Sequence, residues 1–192
     1  RVTFVPLQIY SILGFRYQTM TGLKRRIVMV VERISCRLAH EVLCVSHSLR
    51  DVAIADGICS SSKIEVSANG SINGVDTDRF RRSAEVMAQG VEIRNTLGIE
   101  PGATVVGFVG RIVKDKGICE LGSAWTALAR EFPDLHVLIV GTFELEDPLP
   151  ADTEDLLRSD SRIHLAETPA DQVPYLAAMD VLVLPTYREG FP

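Results

Sequence analysis

Apolar positions along this chain follow two alternating rhythms. Runs of apolar and β-branched residues, such as Val105-Val-Gly-Phe-Val109, His136-Val-Leu-Ile-Val140 and Val181-Leu-Val-Leu184, read as buried strands. Between the first two the spacing turns helical, with Leu121, Ala124, Trp125 and Leu128 at i, i+3, i+4 and i+7 of a helix predicted over 117–132. Shorter helices are predicted over 153–158 and 172–178, with a strand over 162–165 between them. This alternation implies a parallel sheet with right-handed crossovers.

The first half is patterned similarly but less sharply. A strand is predicted at 2–5, a loop at 6–22 and a helix over 23–39 with Ile27, Val30, Val31, Ile34 and Leu38 on one face. Lys24, Arg25, Arg26, Arg33 and Arg37 stand largely elsewhere on that helix. A basic amphipathic helix suits a membrane surface, but Val28 and Met29 widen the apolar arc and favour a helix packed on a core with a wet basic side. A strand over 41–46 follows. Ser48-Leu-Arg-Asp51 has capping-box form for a helix ending at Gly57, and a short strand is predicted over 63–66. The pairs Asn69-Gly70 and Asn73-Gly74 mark turns with positive φ. A polar helix over 84–97, stopped by Gly98, leads to Pro101-Gly102 and the second domain.

The strand at 105–109 ends in a loop carrying Arg111, Lys114 and Lys116, just before a helix amino terminus. In open α/β sheets ligands bind at such edges, and a helix amino terminus beside cations favours an anion. Neither G-x-x-x-x-G-K-[ST] nor G-x-G-x-x-G is present, so side chains must hold the anion as much as any glycine cradle. Arg111 offers a planar bidentate fork and Lys116 a compact charge, a pairing suited to a diphosphate. The strand at 181–184 likewise runs into a loop, Thr186-Tyr-Arg-Glu-Gly-Phe-Pro192, with a carboxylate beside a glycine.

Composition narrows the class. The 192 residues are 46% hydrophobic and 23% charged, which is globular, and no apolar run approaches the roughly 18 residues of a membrane span. Cys36, Cys44, Cys59 and Cys119 are scattered without a C-x-x-C pair, and His40, His47, His136 and His164 share no ligand spacing. A reduced, cytoplasmic protein without a metal site is expected. The net charge of -5 conceals a basic first part, 12 Lys+Arg against 7 Asp+Glu up to residue 82, and an acidic remainder, 8 against 18. The basic part suits an acidic membrane surface or a phosphate-bearing partner. No nucleic-acid partner is expected.

Gly110-Arg-Ile-Val-Lys-Asp-Lys-Gly117, VLIVGTFELEDPLP from Val137 and AAMDVLVLPTYREGFP from Ala177, in this order and at these intervals, resemble the carboxyl-terminal domain of retaining glycosyltransferases of family 4, in the capsule and lipopolysaccharide branch. NGSINGVDTDRF from Asn69 resembles the segment where that family leaves its first domain. The resemblance implies an α/β fold of GT-B type, two Rossmann-like domains with parallel sheets, both incomplete here. Residues 1–82 would be the carboxyl-terminal part of the acceptor-side domain, 83–102 a linker helix and entry, and 103–192 the amino-terminal part of the nucleotide-sugar domain.

The resemblance further implies a sugar transferred with retention from a nucleoside-diphosphate sugar, usually a UDP-sugar, to a glycan or lipid-linked acceptor, with no cofactor. The enzyme would be cytoplasmic, with contact at the inner membrane surface. Arg111 and Lys116 would bind the diphosphate, Glu189 would face the donor sugar as the catalytic carboxylate, and Gly190 and Phe191 would add backbone hydrogen bonds. The second glutamate of the family's pair, for the ribose, would fall beyond Pro192, and roughly a hundred residues or more of the first domain would lie upstream. Gly14 and Arg16, in a loop resembling the family's acceptor-side loop, and Asn73 and Gly74, at the cleft, complete the expected site. Leu13 stands where many members have His or Arg. A nucleotide-sugar epimerase or glycan phosphorylase of the same fold, or a non-catalytic nucleotide-sugar-binding module, are the alternatives.

Overall fold

The computed structural model describes residues 5–71 and 74–189. The chain forms two compact units, one of residues up to Val75 together with Arg188 and Glu189, the other of Asp76–Tyr187.

The first unit is built on a parallel three-stranded sheet in the order β1-β2-β3, with β1 Ile9–Ile12, β2 Glu41–Cys44 and β3 Ile64–Val66. Val42 in the central strand is fully buried and pairs with Tyr10 on one side and Ile64 on the other. Helix α1, Gly22–Leu38, connects β1 to β2, and α2, His47–Ala55, connects β2 to β3. The loop expected over 6–22 therefore contains β1 and a 3-10 turn, Arg16–Thr19. Four residues of mixed polarity, Ile9-Tyr-Ser-Ile12, leave too short an alternation to read. The strand expected at 2–5 lies outside the described residues, apart from Val5, which is irregular.

Helix α2 begins two residues earlier than its capping box suggested. Ser46, not Ser48, is the N-cap, its hydroxyl accepting from the Leu49 N–H at 3.3 Å. The larger difference is in α1. Ile27, Val30, Val31, Ile34 and Leu38 are each about half exposed, and Met29 and Cys36 are the buried residues of the helix. A 17-residue helix is roughly 25 Å long, and a three-stranded sheet is too narrow to cover both its Met29 side and its aliphatic stripe. The core-packing expectation thus holds for Met29 and Cys36 and fails for the stripe.

The second unit is a three-layer α/β structure. Its parallel sheet has the order β6-β5-β4-β7, from β4 Thr104–Val109, β5 Leu135–Val140, β6 Ile163–Ala166 and β7 Val181–Leu182. Phe108, Val137, Ile139 and Ile163 pack on one face against Ile118, Leu121 and Trp125 of α4, Ile118–Glu131, and Leu157 of α5, Ala151–Ser159. Val105, Leu138 and Val140 pack on the other against Ala178 and Met179, beside α3, Ala84–Thr96, and α6, Val173–Ala177. Alternate residues of β4 and β5 thus supply two cores, which is why these two strands read as apolar runs. Val181, Leu182 and Leu184, expected to be buried, are instead 50%, 47% and 42% exposed, because β7 pairs on one side only, with β4, at the edge of the sheet. Helices α3 and α6 approach closely at Gly90, where a Cβ would come within 2.8 Å of the Ala177 backbone.

The strand order determines where a ligand can enter. From β4 the chain moves outward to β5 and β6, then crosses back to place β7 on the opposite side of β4. The order reverses at β4, so the carboxyl ends of β4 and β7 mark the switch point at which open α/β sheets bind ligands. Among the described residues no helix is long and apolar enough to cross a membrane.

Candidate functional site

The loop leaving β4 carries the expected cations to that switch point. Ile112 and Val113, each 1% exposed, anchor it to the core, while Arg111 is exposed and Lys116 half-buried. This alternation of buried and projecting residues makes a loop of fixed path. Lys114–Lys116 forms one 3-10 turn, closed by Gly117 at φ 74°. Gly117 is required twice over: its φ is left-handed, and a Cβ there would lie 2.0 Å from the Pro185 carbonyl oxygen. It is also the N-cap of α4, so no side chain caps that helix and its first amides face the loop with the positive end of the dipole.

The chain leaving β7 is tied to the same turn. The Tyr187 N–H donates to the Asp115 carbonyl at 3.1 Å, the Thr186 hydroxyl donates to the same oxygen at 3.3 Å, and the Tyr187 hydroxyl donates to Glu120 in the first turn of α4. That last hydrogen bond, with the Glu120 charge, raises the Tyr187 phenol above its ordinary pKa. The two loops that flank the switch point are therefore built as one structure.

The third contributor is the acidic loop after β5. Ile112 bridges to Phe143, the Ile112 N–H donates to the Thr142 carbonyl at 2.9 Å, and the Asp115 N–H donates to an Asp147 carboxylate oxygen at 2.8 Å. Arg111 Nη1 donates to Glu144 Oε2 at 2.9 Å, with the two side chains 50% and 36% exposed. The guanidinium thus already holds an anion. A pair this exposed contributes at most about 1 kcal/mol and exchanges readily for a stronger acceptor. Among the described residues no three His, Cys, Asp or Glu side chains are grouped so as to hold a metal ion.

The remaining expected residues are placed as follows. Glu189 is exposed and belongs with Arg188 to the first compact unit, whereas Gly190 and Phe191 lie outside the described residues. In the first unit, Gly14 and Arg16 are exposed on either side of fully buried Phe15, and Leu13 beside them is 58% exposed. The buried rings of Phe15 and Tyr17 pack in a tilted pair with centroids 4.9 Å apart, while Leu13, Gly14 and Arg16 are exposed. Gly74 is exposed with φ 66°, in keeping with its Asn-Gly turn, and Asn73 lies outside the described residues.

Several features carried no signal in the sequence. Glu144 is 33 residues from Arg111, and only the pairing of β4 with β5 brings them together. Ala68 and Ser71 adopt positive φ, 47° and 63°, in the loop after β3, a strained backbone for side-chain-bearing residues. His136 Nδ1 and His164 Nε2 lie 2.9 Å apart on neighbouring strands, and burial first, then the Arg162 charge on His136 and the His136 ring on His164, lowers both pKa values. Arg94 of α3 reaches the Ala178 and Ala103 carbonyls and the Asp180 carboxylate, locking the entry to β7.

Comparison with known proteins agrees with this architecture. Residues 91–192 match the family model described as glycosyl transferases group 1. The capsular polysaccharide biosynthesis glycosyltransferase CapM of Staphylococcus aureus is 29% identical over 190 residues, covering 99% of this chain and 49% of CapM. An Escherichia coli protein named UDP-Gal:alpha-D-GlcNAc-diphosphoundecaprenol alpha-1,3-galactosyltransferase is 26% identical over 198 residues, covering 100% of this chain and 49% of that protein. The chain thus spans about half the length of these relatives. Anabaena HepE, solved in complex with UDP, superposes with a TM-score of 0.69 at 20% identity, covering 96% of this chain and 48% of HepE. That likeness establishes the GT-B fold. With the family match covering the whole sheet of the second unit and the loops at its switch point, the chain belongs to the group 1 glycosyltransferases.

Proposed function

We propose that the complete protein transfers a sugar, with retention of anomeric configuration, from a UDP-sugar to a glycan or lipid-linked acceptor in cell-surface polysaccharide synthesis. One observation supports this reading: in a group 1 glycosyltransferase chain, the loops after β4 and β7 are tied together at the switch point, and the loop after β4 carries Arg111 and Lys116 up to the uncapped amino end of α4. A nucleoside diphosphate leaves the donor sugar as an anion, and preplaced cations and amide dipoles stabilise the charge as it develops.

In this reading Arg111 exchanges Glu144 for the diphosphate, Lys116 binds the same group, and no metal is required. Glu189 faces the donor sugar, with the Gly190 and Phe191 amides adding hydrogen bonds. The acceptor hydroxyl attacks the face from which the diphosphate departs, and the departing phosphate takes its proton. Residues 1–82 belong to the acceptor side, where Gly14, Arg16, Asn73 and Gly74 line the approach, and residues 103–192 to the donor side, joined through 83–102. UDP is favoured because HepE was solved with it and the Escherichia coli relative is named for a UDP-sugar. The lipid-linked acceptor is favoured by that relative's name and by the basic first part of the chain. Contact with the cytoplasmic membrane face is proposed from the cations and exposed aliphatic stripe of α1.

The test is transfer by the full-length protein from radiolabelled UDP-sugars to diphosphoundecaprenol-linked sugars, with the product anomer determined by NMR. An α-linked product from an α-linked donor supports the reading, and an inverted linkage refutes retention.

A further inference from the structure

We propose that α1 lies flat in the headgroup layer of an anionic bilayer, with its aliphatic stripe among the acyl chains and its flanking cations on lipid phosphates. This rests on the reading of the complete protein as an enzyme with a lipid-linked acceptor, and it gives the membrane contact a lipid class and an orientation. The helix has two apolar sides. At about 100° per residue, Met29 and Cys36 point into the core of the first unit, and the stripe of Leu23, Ile27, Val30, Val31, Ile34 and Leu38 is centred about 160° away. Leu23 is 73% exposed and the other five are each about half exposed, so nothing among the described residues covers the stripe.

Cations border it on both sides. Lys24 lies along one edge and Arg26 and Arg37 along the other, all three exposed. Among the described residues none of the three forms an ion pair, whereas Arg25 and Arg33 turn inward, to the Asp56 carboxylate at 4.0 Å and to the Asp56 and Gly57 carbonyls. The one acid of the helix, Glu32, is also on the inner side, where the Tyr10 hydroxyl donates to it at 2.7 Å. The charge around the stripe selects what covers it. Two copies docked stripe to stripe would set these cations against one another, and a neutral protein surface would leave them without counter-ions. An anionic bilayer answers both parts at once, taking six aliphatic side chains out of water and meeting three cations with phosphates. With 17 residues and five cations, α1 lies on such a surface and does not span it.

The experiment is co-sedimentation of the full-length protein with sucrose-loaded vesicles of phosphatidylcholine, alone or mixed with phosphatidylglycerol, with neither donor nor acceptor present. Saturable binding is expected only with phosphatidylglycerol. It should fall about fivefold in each of Lys24→Gln, Arg26→Gln and Arg37→Gln, and about tenfold or more in an Ile27→Ser/Ile34→Ser double variant. A Val31→Trp variant reports depth, because the native Trp125 is buried: its indole should be open to acrylamide in solution and, on vesicles, shielded from acrylamide and quenched by brominated lipid. Equal binding to both kinds of vesicle, or binding to neither, overturns the proposal. So does an indole already shielded before vesicles are added, with light scattering then telling a second copy from another part of the same chain. Sugar transfer by a protein that ignores the vesicles would contradict the bilayer contact alone, and vesicle binding without nucleotide binding would contradict the transferase reading alone.

Discussion

Removing the Arg111 guanidinium should weaken UDP binding by a predictable and limited amount. A hydrogen bond between charged groups contributes about 1.5–3 kcal/mol. In the ligand-free protein the same guanidinium holds Glu144 at 2.9 Å in an exposed pair, which offsets at most about 1 kcal/mol of that gain. Arg111→Ala in the full-length protein should therefore cost about 0.5–3 kcal/mol, raising the UDP dissociation constant between about 2-fold and 160-fold. Glu144→Gln should act in the opposite direction, tightening UDP binding by up to about fivefold because the competitor is neutral. Isothermal titration at fixed ionic strength measures both, with thermal melts as the control for folding. Unchanged UDP affinity in a folded Arg111→Ala protein would refute the diphosphate assignment. Weaker binding in Glu144→Gln would show that Glu144 orients Arg111 rather than competing for it.

Other outcomes follow from the same geometry. Arg94→Ala should destabilise the second unit by about 2–4 kcal/mol, since three hydrogen bonds from one side chain are lost, as read from urea unfolding. Burial works against the Asp180 charge, but the Val105 N–H and Arg94 outweigh it and hold its pKa below the ordinary value, so its contribution is present above about pH 4 and is lost in more acid solution. Both His136 and His164 have lowered pKa values, so the unfolded chain binds protons that the folded pair resists. Stability should be fully developed above about pH 6.5 and fall as pH drops below it, and a His164→Gln variant should show a shallower slope in urea midpoints between pH 7 and 5. Glu189→Gln should reduce kcat by about 100-fold while UDP affinity changes little, and equal loss of both would reassign Glu189 to a structural role.

The centre of the second unit's sheet was legible because β4 and β5 are buried on both faces, whereas β7 reads as equally apolar and yet lies half exposed at the edge. Val105–Val109 and Val137–Val140 present apolar runs, and Gly117 and Gly141 adjoin the loops where backbones come too close for a Cβ. The placement of Arg111 and Lys116 followed from the same alternation, because a loop between a strand and a helix has only one edge to occupy. The first unit was harder. β1 is an edge strand of four residues with a serine in it, and two serines, Ser46 and Ser48, competed for one cap. The aliphatic stripe of α1 could be seen in the sequence, but a stripe shows what is apolar and not what covers it. Pairings between distant residues, Arg111 with Glu144, His136 with His164 and Arg94 with Asp180, depend on strand order and helix packing, and no local pattern encodes them.

The most direct test of the account is calorimetric titration of the full-length protein with UDP, GDP and ADP, each with and without Mg²⁺. The switch-point site, with Arg111, Lys116 and the α4 amino end holding the diphosphate, predicts saturable UDP binding that persists when the metal is chelated. Absence of binding to all three by the folded protein would contradict it.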